Sequence, residues 1–314
     1  MSEEGKNVFP YAGIQTFLGR EYRRVLKGDE DVIIVGVPLD TGASYKPGTR
    51  FGPAGIRKSS MILKFYSGEK GLFNPYLGNV LKNVNIVDYG DLEIPFGDLK
   101  SAMDKIYSDI DNISWSNAFK IFLGGDHSIT YPLVKAIYKR YNDLKIVHID
   151  AHLDILSSYG GVKYTHASPI YRIINDVGIK PDNIIQLGMR GYVNSVDSYN
   201  YAKEAGVKIY DISRVRQYGL SRILDEVIEL IGESSVYITF DIDSLDPSIA
   251  PGTGVVEPGG FTYPEASEII RRLGKLNVVA ADFVEYSPEL DVNDITGKTI
   301  TYLILDLISS KFTR

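Results

Sequence analysis

The sequence predicts a single-domain α/β/α protein, built in three layers on an eight-stranded, mostly parallel sheet. Eight short runs rich in valine and isoleucine have the length of strands, and amphipathic stretches with helical spacing lie between several of them. Strands that alternate with helices form parallel sheets with helices on both faces. No proline- or serine-rich linker interrupts the alternation, so we expect one domain over residues 1–314, with 1–30 as an N-terminal extension.

The individual elements follow in chain order from these two patterns. Short β-branched runs predict strands at 32–37, 84–87, 119–123, 145–149, 184–187, 207–210, 236–240 and 278–281. Apolar residues spaced three and four apart predict helices at 131–141, 169–176, 221–231, 264–273 and 295–308. The aromatic, glycine-containing segment 64–80 fits neither pattern, and we expect it to be irregular.

Composition narrows the chemistry available to the chain. It has 34 basic and 40 acidic residues, a formal net charge of −6, four histidines and no cysteine. The absence of cysteine excludes a disulfide framework, a thiolate zinc site, an iron–sulfur cluster and a cysteine nucleophile. The negative charge disfavours nucleic acid as a partner. No leader segment and no apolar run long enough to span a membrane is visible, so we expect a cytoplasmic protein without membrane contact.

Polar clusters follow four of the apolar runs, those that end at Leu123, Ile149, Phe240 and Val284. The functional site of an open parallel sheet lies at the carboxyl ends of its strands, so these clusters are candidates for one site. Side chains two residues apart on an extended segment face the same way, which aligns the members of each cluster. The candidate ligand residues are His127, Asp150, His152, Asp154, Asp241 and Asp243.

Charge repulsion indicates that this site binds divalent metal ions. Four carboxylates in one crevice cannot all stay ionised without a cation. Six ligand residues are too many for one ion unless it is fully enclosed, and they suit two ions about 3.5–4 Å apart with bridging carboxylates and a bridging water. Oxygen ligands with two imidazoles favour Mn²⁺ and leave Zn²⁺, Co²⁺ and Fe²⁺ open. A single pair of aspartates would more often form a turn or a helix cap, but several clusters at strand ends favour the metal site.

Neighbouring residues have other predicted roles. His148 lies in mid-strand, two residues before Asp150, and we expect it either to fill the core or to hold a ligand in place. Gly124 and Gly125 are expected to permit close approach of another backbone segment. The sequence contains no phosphate-binding GxxxxGK[ST] motif, and Gly259-Gly260 lacks the adjoining helix start of a dinucleotide site.

The motifs that carry these residues resemble the ureohydrolase family of arginases, agmatinases and related amidinohydrolases. They are Gly124-Gly-Asp-His-Ser128, Asp150-Ala-His-Leu-Asp154 and Asp241-Ile-Asp-Ser-Leu-Asp-Pro247, in the family's order. Five further segments, 36–40, 47–57, 188–191, 250–254 and 257–260, are most similar to the agmatinase branch. The resemblance extends from Val35 to Leu305, most of the chain.

This resemblance implies an arginase-like fold and a site with two Mn²⁺ ions. One ion would take His127, Asp150, Asp154 and Asp241, and the other His152, Asp150, Asp241 and Asp243, with Asp150 and Asp241 as bridges. It implies that a metal-bridging hydroxide attacks the guanidinium carbon and that the tetrahedral intermediate collapses to urea and an amine. It also implies a homo-oligomer, either a trimer or a hexamer.

Two more residues gain catalytic roles from the resemblance. Glu285 matches the family carboxylate that holds the guanidinium, a pairing that suits a planar cation. His166 matches the histidine that passes protons to the leaving amine, and the alternative is a histidine on a surface loop. The family often has His-Gly here, whereas this chain has His166-Ala167-Ser168-Pro169, which leaves the path of the loop open.

The resemblance implies that the substrate is a small cationic guanidino compound, and agmatine is the first candidate. Its hydrolysis would give urea and putrescine, a step of polyamine biosynthesis. Segment 155–165 lacks the Asn/Ser pattern with which arginases hold the amino-acid end of their substrate. Arginase or guanidino-acid hydrolase activity is the alternative, and a guanidino acid would need a distal cation, for instance Lys163. Asp197 and the tyrosines are candidates for binding the distal amine of agmatine.

Two alternatives from other functional classes are less favoured. A non-catalytic, metal-binding relative would not need Glu285 and His166, which are both present. A metal-dependent hydrolase of phosphate esters would need Arg or Lys near the site, whereas the clusters supply carboxylates.

Overall fold

One parallel sheet organises the protein. The computed structural model describes residues 9–67 and 71–312. Its strands are β1 (Val32–Val37), β2 (Leu72–Asn74), β3 (Gly78–Val80), β4 (Ile86–Asp91), β5 (Phe119–Gly124), β6 (Lys145–Ile149), β7 (Ile184–Leu187), β8 (Lys208–Tyr210), β9 (Val236–Asp241) and β10 (Val278–Val284). Eight of them form a sheet in the order β4-β1-β5-β10-β9-β6-β7-β8, in which every neighbouring pair is parallel. The predicted parallel sheet of eight strands is therefore confirmed.

Helices cover both faces of this sheet. They are α1 (Gly52–Lys64), α2 (Leu99–Ser114), α3 (Thr130–Tyr138), α4 (Pro169–Arg172), α5 (Val196–Ala205), α6 (Ile212–Tyr218), α7 (Leu220–Ile231), α8 (Tyr263–Leu273) and α9 (Ile295–Phe312). Buried side chains of α1, α7, α8 and α9 form one apolar cluster with the strands, and those of α2, α3 and α4 form a second. The predicted α/β/α layering is confirmed, because each cluster joins helices to strand residues of the sheet.

The structure differs from the predicted elements in three respects. Helices α1, α2, α5 and α6 were not among the predicted ones. The predicted helix at 169–176 is α-helical only to Arg172 and continues as a π turn over Ile173–Val177. The expectation of irregular structure over 64–80 is wrong for 72–80, where β2 and β3 pair as an antiparallel hairpin, while 68–70 lie outside the described residues.

The glycines before the first cluster allow the backbone contact that the sequence predicts. A Cβ atom on Gly125 would lie 1.9 Å from the carbonyl oxygen of Leu39, and one on Gly124 would lie 2.7 Å from that of Phe283. Both distances are far below van der Waals contact, so only glycine fits at these positions. In the described part of the chain, no helix is long and apolar enough to cross a membrane.

Candidate metal centre and active site

Four adjacent strands in the middle of the sheet end at the candidate site. β5, β10, β9 and β6 lie side by side, and the carboxyl ends of parallel strands meet at one edge. His127 follows β5, Asp150 follows β6, Asp241 ends β9 and Glu285 follows β10. This strand order brings together residues that are far apart in the sequence, as His127 and Glu285 are.

One group of ligand atoms surrounds the imidazole of His127. Three carboxylate oxygens lie close to its Nδ1 atom: Oδ2 of Asp150 at 3.1 Å, Oδ2 of Asp154 at 3.0 Å and Oδ2 of Asp241 at 3.0 Å. The His127 side chain is fully buried. These are the four residues that the family resemblance implies as ligands of one ion.

A second group surrounds His152. Its Nδ1 atom lies 3.4 Å from Oδ1 of Asp150 and 3.1 Å from Oδ2 of Asp243. Asp150 thus directs one carboxylate oxygen toward each histidine, as a bridging ligand would. Asp241 differs, because its Oδ2 faces His127 while its Oδ1 accepts a hydrogen bond of 2.8 Å from the backbone N–H of Asp243.

The separations between these atoms fit metal ligands. Nitrogen and oxygen ligands of small divalent ions lie about 2.0–2.2 Å from the ion, which places neighbouring ligands roughly 3.0–3.5 Å from each other. The distances between imidazole nitrogen and carboxylate oxygen in the two groups are 3.0–3.4 Å. Two groups of imidazole and carboxylate ligands that share Asp150 therefore suit a pair of divalent ions.

Crowding of acidic groups perturbs the pKa values at the site. Burial and the nearby Asp243 raise the pKa of Asp241 well above its usual value. Burial acts the same way on Asp150, but the histidines around it hold its pKa well below the usual value. Burial lowers the pKa values of His127 and His152, yet the carboxylates around them raise both overall. Protons on the imidazoles thus offset part of the carboxylate charge, and a divalent cation would replace them.

His148 holds one of the candidate ligand residues in place. Its Nε2 atom lies 2.7 Å from Oδ2 of Asp150, and its side chain is fully buried. Its Nδ1 atom accepts a hydrogen bond of 2.9 Å from Nε2 of Gln186, which also donates to the carbonyl of Leu153. With Nδ1 occupied in this way, Nε2 carries the proton and donates to Asp150. Although His148 lies within reach of the first group, these bonds support the predicted alternative in which it orients a ligand.

A buried network that the sequence reasoning missed orients His127. The Nε2 atom of His127 lies 2.8 Å from the hydroxyl of Thr239, which donates a bond of 2.6 Å to Oδ1 of Asp282. Tyr237 and Thr130 donate to Oδ2 of the same carboxylate, at 2.7 and 2.9 Å. Burial raises the pKa of Asp282, while His127 and the three hydroxyls act against that rise. The sequence signal that could have indicated this network is Asp282 itself, the single charged residue in the otherwise apolar strand β10.

Glu285 and His166 lie together beside the ligand groups. Oε1 of Glu285 accepts a hydrogen bond of 2.7 Å from the backbone N–H of His127 and lies 3.5 Å from Nδ1 of His166. On the other side of the ring, Nε2 of His166 lies 2.7 Å from the hydroxyl of Ser44. Burial lowers the pKa of His166, but Glu285 and other carboxylates raise it to about 9. The side chain is only 16 % exposed, which disfavours the alternative of a surface-loop histidine.

Two of the site residues have strained backbone conformations. Asp154 has a φ of 48° and Glu285 a φ of 64°, in the left-handed region that non-glycine residues rarely adopt. The Glu285 backbone is held there by a hydrogen bond of 2.9 Å from its N–H to the carbonyl of Gly125. Such conformations persist where the surrounding structure enforces them, and they cluster at functional sites.

A cavity of about 190 Å³ opens onto the site. Its lining includes His152, Asp241, Asp243 and Glu285, together with apolar and uncharged polar side chains such as that of Tyr159. Among the described lining residues there is neither lysine nor arginine.

Of the residues predicted to bind the distal end of the substrate, only Tyr159 is among the described residues that line this cavity. Lys163 pairs with Asp176 at 3.2 Å and does not line the cavity. Asp197 is exposed in the first turn of α5 and does not line it either. The structure therefore does not bring the two charged candidates, Lys163 and Asp197, to the site.

Comparison with known proteins gives a consistent family assignment. A model of the Arginase family matches residues 30–309. The agmatinase of Bacillus cereus is 36% identical over 282 residues, which is 89% of this chain and 91% of that protein. The guanidinobutyrase of Pseudomonas aeruginosa is 34% identical over 278 residues, 88% of this chain and 85% of that protein. The structure of proclavaminate amidinohydrolase from Streptomyces clavuligerus superposes with a TM-score of 0.88 at 33% identity, covering 96% of this chain and 98% of that one.

Proposed function

This chain belongs to the arginase family, and we propose that it is an agmatinase, which hydrolyses agmatine to putrescine and urea. The observation that carries the substrate assignment is the cavity: Glu285 lies beside the ligand groups, and the described lining offers no cation for a distal carboxylate. Agmatine has a guanidinium at one end and a protonated amine at the other, so it carries no carboxylate that would need a cation in the cavity lining. The agmatinases of Bacillus cereus and Bacillus subtilis, each 36% identical, support this choice.

We propose that His127, Asp150, Asp154 and Asp241 hold one divalent ion and that His152, Asp150, Asp241 and Asp243 hold the other. The ligand chemistry, mostly carboxylate oxygen with two imidazoles, favours manganese. Two bound ions would lower the pKa of a water molecule between them and so supply a nucleophile near neutral pH.

Glu285 binds and orients the guanidinium in this proposal. Its Oε1 atom already accepts the His127 N–H, while its Oε2 accepts no hydrogen bond from the described residues. A guanidinium N–H that donates to Oε2 forms a charge-assisted hydrogen bond, which fixes the planar group in front of the ligand groups.

His166 supplies the proton for the leaving amine. With a pKa of about 9, its imidazole is protonated at neutral pH and can act as a general acid. The bond with Ser44 and the proximity of Glu285 hold the ring at the cavity, which His166 also lines.

The test is urea release from agmatine, arginine and 4-guanidinobutyrate, measured side by side with protein loaded with Mn²⁺. We expect the highest kcat/KM for agmatine, because the described lining residues of the cavity include no lysine or arginine to pair with a substrate carboxylate. A preference for guanidinobutyrate or arginine would overturn the substrate assignment while leaving amidinohydrolase chemistry in place. Urea release from none of the three compounds would overturn the proposed activity itself.

We further propose that the chain forms one domain over residues 1–314, with 1–30 as an extension, and that it acts in the cytoplasm as a trimer or hexamer. Light scattering coupled to size-exclusion chromatography distinguishes these assemblies from a monomer.

A further inference from the structure

The imidazole of His152 has one nitrogen without a partner. Its Nδ1 atom faces Asp150 and Asp243, whereas its Nε2 atom is buried and makes no hydrogen bond with the described residues. A histidine that binds a metal through one nitrogen must carry its proton on the other, and a hydrogen bond from that second nitrogen normally fixes this tautomer. Among the described residues, no hydrogen bond to Nε2 orients the ring of His152.

Glu257 is the carboxylate positioned for this task. Its Oε1 atom lies 3.9 Å from Nε2 of His152, less than 1 Å beyond ordinary hydrogen-bond length. The Glu257 residue is only 8% exposed, and its carboxylate accepts no hydrogen bond from another group in the described part of the chain. A buried carboxylate and a buried ring nitrogen thus lie side by side, and each lacks any other hydrogen-bond partner among the described residues.

Gly191 provides the space in which this carboxylate lies. A Cβ atom on Gly191 would lie 2.0 Å from Oε2 of Glu257 and 2.3 Å from its Cδ. Gly191 also has a φ of 75°, which disfavours other residues. Any side chain at position 191 would displace the carboxylate from its place near His152.

Arg190 connects the backbone at Glu257 to the backbone at Asp243. Its guanidinium donates hydrogen bonds of 2.6 Å to the carbonyl oxygen of Glu257 and 2.7 Å to that of Asp243. The same side chain therefore fixes the backbone that carries Glu257 relative to a ligand that shares an ion with His152.

We propose that Glu257 is a positioning residue for the metal centre: it accepts a hydrogen bond from Nε2–H of His152 and so keeps Nδ1 free to bind metal, and Gly191 keeps the space for it. This inference rests on the proposed metal centre, and it adds to that centre a residue that is not a ligand.

The test compares Mn²⁺ binding by the wild type, Glu257→Leu and Glu257→Gln. Equilibrium dialysis gives the stoichiometry and affinity, and electron paramagnetic resonance distinguishes coupled pairs of ions from single ones. Loss of a partner of a metal-binding histidine typically weakens metal binding 10–100-fold. We expect Glu257→Leu to weaken one of the two sites by about that factor and to give the spectrum of uncoupled ions. We expect Glu257→Gln to keep most of the wild-type Mn²⁺ affinity, because its amide oxygen can still accept a hydrogen bond from His152.

Two controls separate positioning from a general effect. Glu229→Leu removes an exposed carboxylate from α7 and is expected to bind both ions normally. Gly191→Ala is expected to weaken the same site as Glu257→Leu and to add nothing in that background, because both changes remove one interaction. The melting temperature of each variant without metal shows whether the fold is intact.

The outcomes are distinct from those that test the substrate. Wild-type affinity and coupling in Glu257→Leu would overturn the inference, as would equal losses in the Leu and Gln variants. Fewer than two Mn²⁺ ions in the wild type would overturn both the metal centre and this inference. Two bound ions without urea release would overturn only the proposed activity, since the binding measurements would still give the expected pattern.

Discussion

Replacing Asp282 with asparagine tests whether the buried network controls the tautomer of His127. In the native protein, Oδ1 of Asp282 accepts from Thr239 and Oδ2 accepts from Tyr237 and Thr130. An amide has only one acceptor oxygen. If the NH₂ group of the new asparagine faces Thr239, one hydroxyl loses its acceptor. If the NH₂ group faces Tyr237 and Thr130, two hydroxyls lose their acceptor. The first orientation is therefore favoured.

That orientation of the asparagine changes which ring nitrogen of His127 carries the proton. The Thr239 hydroxyl then accepts from the amide of Asn and donates to Nε2 of His127, which forces the imidazole proton onto Nδ1, the atom that faces the carboxylates. Such a nitrogen cannot bind a metal ion. We expect Mn²⁺ affinity to fall about 10–100-fold, or about 1.4–2.7 kcal/mol at 1.36 kcal/mol per factor of ten.

Isothermal titration calorimetry with Mn²⁺ measures this loss, and Tyr237→Phe is the matched control. The control removes one donor to Asp282 but leaves the bonds from Asp282 through Thr239 to His127 intact. We expect it to lower the free energy of unfolding by about 1.5–3 kcal/mol, since the lost bond goes to a charged group, and to bind Mn²⁺ normally. Wild-type Mn²⁺ affinity in the Asp282→Asn variant would refute the reasoning.

Three further changes test the site and the core. Asp150→Ala is expected to lose both ions together with activity, because both ligand groups share this carboxylate; two ions found by metal analysis would contradict its bridging role. Glu285→Gln is expected to keep its metal and to raise KM for agmatine about 10–100-fold, as a neutral hydrogen bond replaces a charged one; unchanged steady-state kinetics would refute the assignment. Burial and the nearby Arg140 lower the pKa of Lys120 to about 7 in the folded protein. Between about pH 7 and 10.5, Lys120 is therefore protonated in the unfolded chain but neutral in the folded one. The free energy of unfolding consequently rises with pH over this range. Urea unfolding at several pH values should show a smaller rise for Lys120→Met, and an identical slope would contradict the buried, neutral lysine.

The strands and the clustering of the candidate ligand residues could be predicted because their signals are local. Most strands of the sheet contain a short β-branched run, and the Asp150–Asp154 cluster directly follows one of them. Helix α1 escaped prediction because its first turn contains two glycines, Gly52 and Gly55, which disfavour helices. Those glycines are required by packing: a Cβ on Gly52 would lie 2.6 Å from the carbonyl oxygen of Gly124.

The partners of the ligand residues could not be predicted, since they depend on strand order and loop packing. Thr239 and Asp282 meet because β9 and β10 are neighbours in register, which the chain order does not reveal. Glu257 approaches His152 from a loop about a hundred residues further along, and it does so only because position 191 is glycine. Periodicity carries no information about such pairs, because they are formed by tertiary contacts.

The left-handed backbone at Asp154 and Glu285 has a consequence for the way this protein responds to selection. A non-glycine residue in that conformation costs about 1–2 kcal/mol, so glycine at either position relieves strain and deletes a carboxylate of the active site in the same step. Screening for heat resistance without an activity assay would enrich such inert variants. By the same reasoning, a duplicated gene whose product is no longer selected for activity can gain stability by one substitution at either position. The resulting protein would be more stable and would not turn over substrate.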